Sequence, residues 1–165
     1  MIFLSVGTQL PFERLVKTVD AWAAENTETT IFGQIGGTQY KPKHFGFSKL
    51  LTPRQYSKYI DSCKIIVGHV GMGTIISGIE SGKPLVLMPR HEELGEHRNN
   101  HQIATAGHFR RLALVTIIED LDEFDQAVKA ILEQCKNAKP MEEQDNSSSI
   151  SPQLITTISQ FINRQ

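Results

Sequence analysis

Short, wholly apolar segments alternate with longer amphipathic segments along most of the chain. Residues 64–68 (KIIVG) and 84–88 (PLVLM) are apolar on both faces, which is typical of strands covered by helices on each side. Residues 11–26 and 52–63 instead place apolar side chains at helical spacing. Because such strands and helices alternate, the sequence predicts an α/β fold with a doubly wound parallel sheet of the Rossmann-like type.

Proline, threonine and glycine mark the ends of the predicted helices. Pro11 falls in the first turn of the first helix, and Thr52 followed by Pro53 begins another. Gly82 and Pro84 end the helix that precedes the strand at 84–88. These signals agree with a repeat in which strands and helices alternate.

The α/β domain is predicted to occupy residues 1–135. Residues 136–149 are polar and lack apolar periodicity, which indicates a linker or loop. Residues 150–165 are predicted to form a C-terminal amphipathic helix. Its apolar stripe consists of Ile150, Leu154, Ile155, Ile158, Phe161 and Ile162.

Composition excludes several classes of protein. A chain of 165 residues with 39% hydrophobic and 21% charged residues is expected to form one soluble domain, and its net charge of -1 predicts no nucleic-acid partner. No segment approaches the ~20 apolar residues of a membrane span, and no signal peptide precedes the first strand. Cys63 and Cys135 fall at predicted helix ends and are expected to be reduced. We therefore expect a cytoplasmic protein without direct membrane insertion, which reaches a membrane surface only through a partner.

Two loops after predicted strands carry glycine and threonine. In open α/β sheets ligands bind beyond the carboxyl ends of the strands, so these loops are candidate binding sites. The first contains Gly7, Thr8 and Gln9, and the second contains His69, Gly71, Met72, Gly73 and Thr74. The second loop opens a helix, whose free backbone N–H groups favour a phosphate, and His69 could donate a proton to a departing phosphate. The alternative is a tight turn that needs glycine for a positive φ, with Thr74 as a plain helix cap.

Two nucleotide-binding motifs are absent from the second loop. The lysine of a Walker P-loop is missing, and GMGTII lacks the last glycine of the dinucleotide fingerprint. ATP hydrolysis and NAD chemistry are therefore disfavoured.

A third loop, after residues 84–88, is rich in polar side chains. His97, Asn100, His101 and Gln102 cluster at a predicted helix start and could bind sugar hydroxyls or phosphate oxygens. Two alternatives remain: a zinc site built on His97 and His101 with Glu93 and Glu96 nearby, or a solvated helix start without a ligand. The sequence Asp120-Leu121-Asp122 is similar to a metal-binding DxD, but its place at a helix start favours capping.

Three stretches occur in the order and spacing of a known family. They are VGTQ followed by PFERLV, HVGMGT continued by GIESGKPLVLMPR, and GEHRNNHQ. Together they resemble the C-terminal, donor-binding domain of the inverting GT-B glycosyltransferases of family 28, most closely its free-standing small versions. The resemblance extends to about Cys135 and implies a single GT-B half-domain.

The resemblance also implies roles for individual residues. The diphosphate-binding loops would be Gly7, Thr8 and Gln9 with His69, Gly71, Gly73 and Thr74, and the phosphate- or sugar-binding group would be Asn100, His101 and Gln102. Leu51 and Thr52 would lie near the uracil. Ser77 occupies the position where the family usually has a ribose-binding glutamate, and Glu80, one turn later, either substitutes for it or faces solvent.

The activity implied is that of an inverting hexosyltransferase, which transfers a sugar from a UDP-sugar to a lipid-linked or polysaccharide acceptor. His69 would be the catalytic residue, and no metal or other cofactor is implied. A complete GT-B enzyme has its acceptor site on a second lobe, so a separate, membrane-anchored acceptor-binding subunit is expected. The alternatives are an inactive nucleotide-sugar-binding module and a metal-dependent hydrolase.

Overall fold

The computed structural model describes residues 1–137. Its strands are β1 (Ile2–Ser5), β2 (Ile31–Gln34), β3 (Gly46–Ser48), β4 (Ile65–His69), β5 (Leu85–Met88) and β6 (Val115–Ile117). Its helices are α1 (Glu13–Glu25), α2 (Pro53–Ser62), α3 (Met72–Glu80), α4 (His101–Phe109) and α5 (Leu121–Asn137). All strand pairs are parallel, and the order across the sheet is β3-β2-β1-β4-β5-β6. The predicted doubly wound α/β class is confirmed.

The order of the strands reverses between β1 and β4. From β1 the chain proceeds outward to β2 and β3, and it then returns to the other side of β1 as β4. In this register Ser5 lies between Gln34 and Gly68 at the carboxyl ends of the three central strands. Such a switch point opens a crevice above the sheet, because the connections on its two sides lead away from each other.

Consecutive residues of the central strands enter different cores. Leu4 and Val67 pack in the cluster that contains α1 and α5 residues. Phe3 and Ile66 pack in the cluster that contains Ile60 of α2 and residues of α3 and α4. All four strand residues are fully buried. The absence of polar alternation in these strands is explained by the two helical layers.

Some boundaries differ from the prediction. Helix α1 begins at Glu13 with Phe12 as its N-cap, so Pro11 precedes the helix instead of lying in its first turn. Helix α2 begins with the predicted Thr52 and Pro53. Helix α5 includes residues 136 and 137, the first two of the predicted linker; residues 138–149 and the predicted C-terminal helix lie outside the described residues. Within residues 1–137, none of the helices combines the length and the apolar character that crossing a membrane requires.

Candidate functional site

A cleft of about 520 Å³ lies between α2 and α3, at the switch point of the sheet. We call it the cleft. On the β1 and β2 side it is lined by Ser5, Gly7, Thr8 and Gln34. The α2 wall consists of Leu51, Pro53, Tyr56, Ser57, Ile60 and Asp61, and the α3 wall of Gly73, Thr74, Ser77, Glu80 and Ser81. The structure therefore brings together six residues that the sequence assigned to the site: Gly7, Thr8, Leu51, Gly73, Thr74 and Glu80.

Helix α3 begins at the cleft without a side-chain cap. Its N-cap is Gly71, no side chain accepts from its first turn, and that turn has no acidic residue. The N–H groups of Met72, Gly73 and Thr74 have no acceptor among residues 1–137, as is usual for a first helical turn without a cap. Neither Gly71 nor Gly73 has a positive φ, and Thr74 makes no cap. The alternative of a tight turn capped by Thr74 is therefore wrong.

Gly73 has no structural requirement for glycine. A Cβ placed there would meet no atom within 4 Å, and the residue is exposed in the first turn of α3. Glycine usually destabilises a helix by roughly 0.5–1 kcal/mol relative to alanine. Gly73 lies in the cleft wall, and because it has no side chain, the backbone N–H groups of the first turn stay accessible to a ligand in the cleft.

Gly7 and Gly71 instead make room for His69. A Cβ at Gly71 would overlap the imidazole ring, and a Cβ at Gly7 would lie 2.9 Å from its Cε1. Gly7 also has a φ of +80°, which few other residues adopt. The ring is thus held between the loop after β1 and the start of α3.

His69 is a neutral base in this structure. Burial, reinforced by the positive charge of Arg90, lowers its pKa to about 4. An interaction with the Ser5 backbone opposes the shift, but its geometry is not that of a hydrogen bond, and the buried Nδ1 has no partner within residues 1–137. An anion bound beside the ring would raise this pKa and allow the ring to carry a proton.

His97 lies near His69 and contacts a third histidine, His101. The rings of His97 and His101 meet edge to face with centroids 4.4 Å apart, and Nδ1 of His97 is buried without a partner among residues 1–137. Burial, followed by the charge of His97, lowers the pKa of His101. His97 also contributes to the lowered pKa of His69. His97 therefore lies between the surroundings of His69 and those of His101.

Arg90 organises the loop that contains Gly7 and Thr8. It is 2% exposed, and its guanidinium donates to the carbonyls of Val6 (2.8 Å), Leu10 (2.9 Å) and Pro11 (2.8 Å). It also lies over the ring of Phe12 at 4.8 Å. The loop is therefore anchored on both sides of Gly7, Thr8 and Gln9. No motif in the sequence predicts this role.

The predicted residues of the third loop, Asn100, His101 and Gln102, differ in exposure and in their hydrogen-bond partners. Asn100 is the N-cap of α4, and its Oδ1 accepts from the N–H of Glu92 at 2.8 Å. Gln102 is 3% exposed, and its Oε1 accepts from the N–H of Arg90 at 3.2 Å. His101 is exposed and hydrogen-bonds to Asn99. These three residues, together with Gln9, His69, Gly71 and Met72, are not part of the cleft wall.

The carboxylates of the zinc alternative have other partners. Glu96 pairs with Arg14 at 2.9 Å and also accepts from the N–H of His91. Glu93 contacts His91 at 3.1 Å. No group of three or more possible metal ligands occurs within residues 1–137. Asp120 accepts from the N–H of Glu123 at 2.9 Å, so the DxD-like sequence contains a helix cap.

The sequence was also compared with known families and structures. It matches the family model of the glycosyltransferase family 28 C-terminal domain over residues 1–157. The chain belongs to this family. No curated protein sequence matches it.

Solved structures share the fold at low identity. The glycotransferase of kitacinnamycin has a TM-score of 0.62 and 19% identity over 98% of this chain and 38% of its own. ALG13, solved by NMR, has a TM-score of 0.57 and 18% identity over 88% of this chain and 90% of its own. UDP-glucose: anthocyanidin 3-O-glucosyltransferase in complex with UDP has a TM-score of 0.55 and 13% identity over 98% of this chain and 39% of its own. The chain thus spans about two fifths of the two larger enzymes, and the predicted GT-B half-domain is confirmed.

Proposed function

We propose that this chain is the donor-binding half of an inverting UDP-sugar hexosyltransferase that acts with a separate acceptor-binding subunit. The observation that carries the proposal is the uncapped N-terminus of α3, which opens onto the cleft through Gly73. Membership of a glycosyltransferase family supports the reaction class. UDP is the nucleotide in one solved structure of the same fold.

The diphosphate is assigned to the space between Gly7, Thr8 and the first turn of α3. Backbone N–H groups and the positive end of a helix macrodipole stabilise phosphate there. Thr8 and Thr74 add hydroxyl donors, since both line the cleft. Gln9 and Met72 lie beside these residues in sequence and are assigned backbone roles only.

His69 is assigned to the departing UDP. The bond between the sugar C1 and the β-phosphate oxygen breaks, while the acceptor oxygen bonds to C1 from the opposite face. The diphosphate would raise the pKa of His69 above its value of about 4 in the free protein, so that the ring donates to the leaving oxygen. The proton of the acceptor hydroxyl is assigned to a base on the partner subunit.

The ribose is assigned to the α3 wall. Ser77 and Glu80 both line the cleft, one helical turn apart. Ser77 provides a hydroxyl where the family pattern has a carboxylate, and Glu80 provides a carboxylate that can accept from ribose hydroxyls. His101 is assigned to the sugar or phosphate, whereas Asn100 and Gln102 support the loop that presents it.

The proposal of a partner is supported by the match to 90% of ALG13, whereas this chain matches only 38% of a larger glycosyltransferase of the same fold. The remainder of a GT-B enzyme contains the acceptor site. We propose that a membrane-anchored subunit supplies it, and that this chain works at the cytoplasmic face of the membrane on a lipid-linked or polysaccharide acceptor.

Thermal unfolding in the presence of nucleotides tests the proposal. A ligand that binds only the folded state at 100 times its Kd stabilises that state by about 2.7 kcal/mol. We expect UDP and UDP-sugars to raise the Tm, and GDP to have little effect. Equal Tm values with and without UDP at millimolar concentration would overturn the proposal.

The second candidate is a binding module without catalysis, which Ser77 favours because it removes a carboxylate from the cleft wall. Hydrolysis or transfer of a UDP-sugar by the chain, with co-expressed partner present, distinguishes the two. UDP binding without turnover under those conditions would favour the module.

A further inference from the structure

The side-chain amide of Gln34 is buried at the cleft, and only its oxygen has a hydrogen-bond partner within residues 1–137. Gln34, the last residue of β2, is 3% exposed and lines the cleft. Its Oε1 accepts from the N–H of Leu51 at 2.9 Å. Its Nε2 has no hydrogen-bond acceptor within residues 1–137. Because Nε2 is not one of the buried side-chain atoms that lack a partner there, it must be accessible to solvent. The oxygen is therefore tied, and the nitrogen is open to the cleft.

The direction of this amide is fixed by its neighbours. Rotating it by half a turn would place its NH₂ group against the N–H of Leu51, two donors facing each other. The next backbone donor, the N–H of Thr52, is already bonded to Oε1 of Gln55 at 3.0 Å. On this side of the cleft, the Nε2 of Gln34 is thus left as a donor for a ligand.

The surroundings of Gln34 suit a flat heterocycle. Leu51, whose N–H donates to Gln34, belongs to the α2 wall, in which Pro53, Tyr56 and Ile60 are also apolar or aromatic and Ser57 and Asp61 are polar. A carbonyl oxygen at the edge of a planar ring suits an N–H donor beside an apolar wall, because it accepts from the donor while the face of the ring covers the wall. An amino group at the same place would bring two donors together.

We propose that Gln34 determines the base specificity of the cleft by donating from Nε2 to a carbonyl oxygen of the nucleobase. Nucleotides with a carbonyl at that position, such as those of uracil and thymine, bind, and those with an amino group there, such as cytosine, are rejected. This inference rests on the proposed function, since it requires a nucleoside diphosphate in the cleft.

The test compares the Kd values of UDP, thymidine diphosphate and CDP in three proteins. They are the wild type, Gln34→Glu and Gln55→Glu. Gln34→Glu keeps an acceptor for Leu51 but replaces the open donor with an acceptor. Gln55→Glu adds the same charge at the start of α2, next to the cleft wall, where a glutamate still completes the cap. It therefore controls for repulsion of the diphosphate.

We expect the wild type to bind UDP and thymidine diphosphate at least about tenfold more tightly than CDP. These two ligands gain a hydrogen bond from Nε2 of Gln34, whereas the amino group of cytosine would face it as a second donor. Gln34→Glu should abolish or reverse this ratio, and Gln55→Glu should keep it. Because a carboxylate in a buried position can unfold the domain, Gln34→Met is the second variant, and it should bring the ratio close to one. The ratio compares ligands within one protein, so a loss of folded fraction does not alter it.

The outcomes separate the two claims. If the wild type binds UDP but all variants keep its preference over CDP, or if the wild type binds both equally, Gln34 does not determine specificity and the proposed function stands. If the wild type binds no nucleoside diphosphate, the proposed function fails and the inference fails with it.

Discussion

Helices α2 and α3 form opposite walls of one cleft, but their N-termini are built differently. At α2, Thr52 accepts from the N–H of Gln55 at 3.3 Å, while the Gln55 side chain accepts from the N–H of Thr52. Pro53 removes a further donor. At α3, Gly71 is the N-cap, and no side chain accepts from the first turn. One helix satisfies its own donors, and the other leaves them open.

This difference distinguishes a helix start that stabilises the fold from one that can bind an anion. A capping box contributes about 1 kcal/mol to a helix, so leaving it out has an energetic cost. At α3 the cap position must be small because the ring of His69 occupies the adjacent space. At Gly73, in contrast, space is available and unused. The donors of α3 are thus left open for two reasons: crowding by His69 excludes a capping side chain at Gly71, and glycine stands at position 73 although a side chain would fit there.

The largest expected effect comes from placing a negative charge at the open helix start. Gly73→Asp should weaken UDP binding at least about 100-fold, because the carboxylate occupies the phosphate position and repels the ligand. The unliganded domain should not lose stability, since an acidic residue in a first turn favours the helix. Isothermal titration with UDP and thermal unfolding without it measure the two effects.

Gly107→Asp is the matched control for this substitution. Gly107 is also an exposed glycine within a helix, α4, and a Cβ there would meet no atom within 4 Å. Its variant should bind UDP as the wild type does. Equal weakening in both variants, or none in Gly73→Asp, would contradict the assignment of phosphate to α3.

The second effect concerns the charge of His69. Above pH 6.5 its ring is neutral in both the folded and unfolded chain. As the pH falls from 6.5 toward its folded pKa of about 4, the unfolded chain takes up a proton that the folded chain does not, so the free energy of unfolding decreases. The difference between 6.5 and about 4 corresponds to at most about 3.4 kcal/mol, and partial exposure of the ring reduces our expectation to about 2 kcal/mol. His69→Gln should flatten the dependence of Tm on pH in this window.

The pKa of His69 should also respond to the bound nucleotide. In an NMR titration, UDP should move the pKa of His69 upward. His91 serves as an internal reference. Burial opposes its charge, but hydrogen bonds to Glu119 and Glu93 raise its pKa, so it already has negative partners. An unchanged His69 titration in the UDP complex, or an equal upward shift at His91, would contradict a diphosphate beside His69.

Sequence patterns predict a residue's role when that role depends on its neighbours along the chain. The strands at residues 64–68 and 84–88 and the start of α2 at Thr52 and Pro53 follow from local patterns, and the structure has β4, β5 and α2 there. The roles of Arg90 and Gln34 depend on contacts between segments distant in sequence, for which no motif exists. For Gln102 a signal was available: it shares a helical stripe with the buried Ala106 and Phe109. Helical periodicity could therefore have placed its side chain inward.

His101 and Gln102 provide a third, smaller test. His101→Ala should lower donor affinity or turnover about tenfold with an unchanged Tm, because its exposed side chain can contact a ligand at little loss of packing. Gln102→Ala should lower the free energy of unfolding by about 1 to 2 kcal/mol, since it leaves the buried N–H of Arg90 unpaired. Measurements of Kd and Tm for both variants check this. Equal Tm losses would show that His101 is a structural residue.

The smallest expected effect returns to the capped helix. Thr52→Ala removes the acceptor for the N–H of Gln55, so the free energy of unfolding should fall by about 1 kcal/mol. The Thr52 side chain does not line the cleft, and UDP affinity should therefore stay within about twofold of wild type, less than 0.5 kcal/mol. Thr52→Ser keeps the acceptor and should restore stability. Urea unfolding and UDP titration of both variants measure the two quantities. Because the capping box of α2 satisfies donors at its own start, whereas α3 is proposed to donate to the ligand, the change at α2 should affect stability alone. A loss of UDP affinity in Thr52→Ala that Thr52→Ser restores would show that the start of α2 also holds the nucleotide.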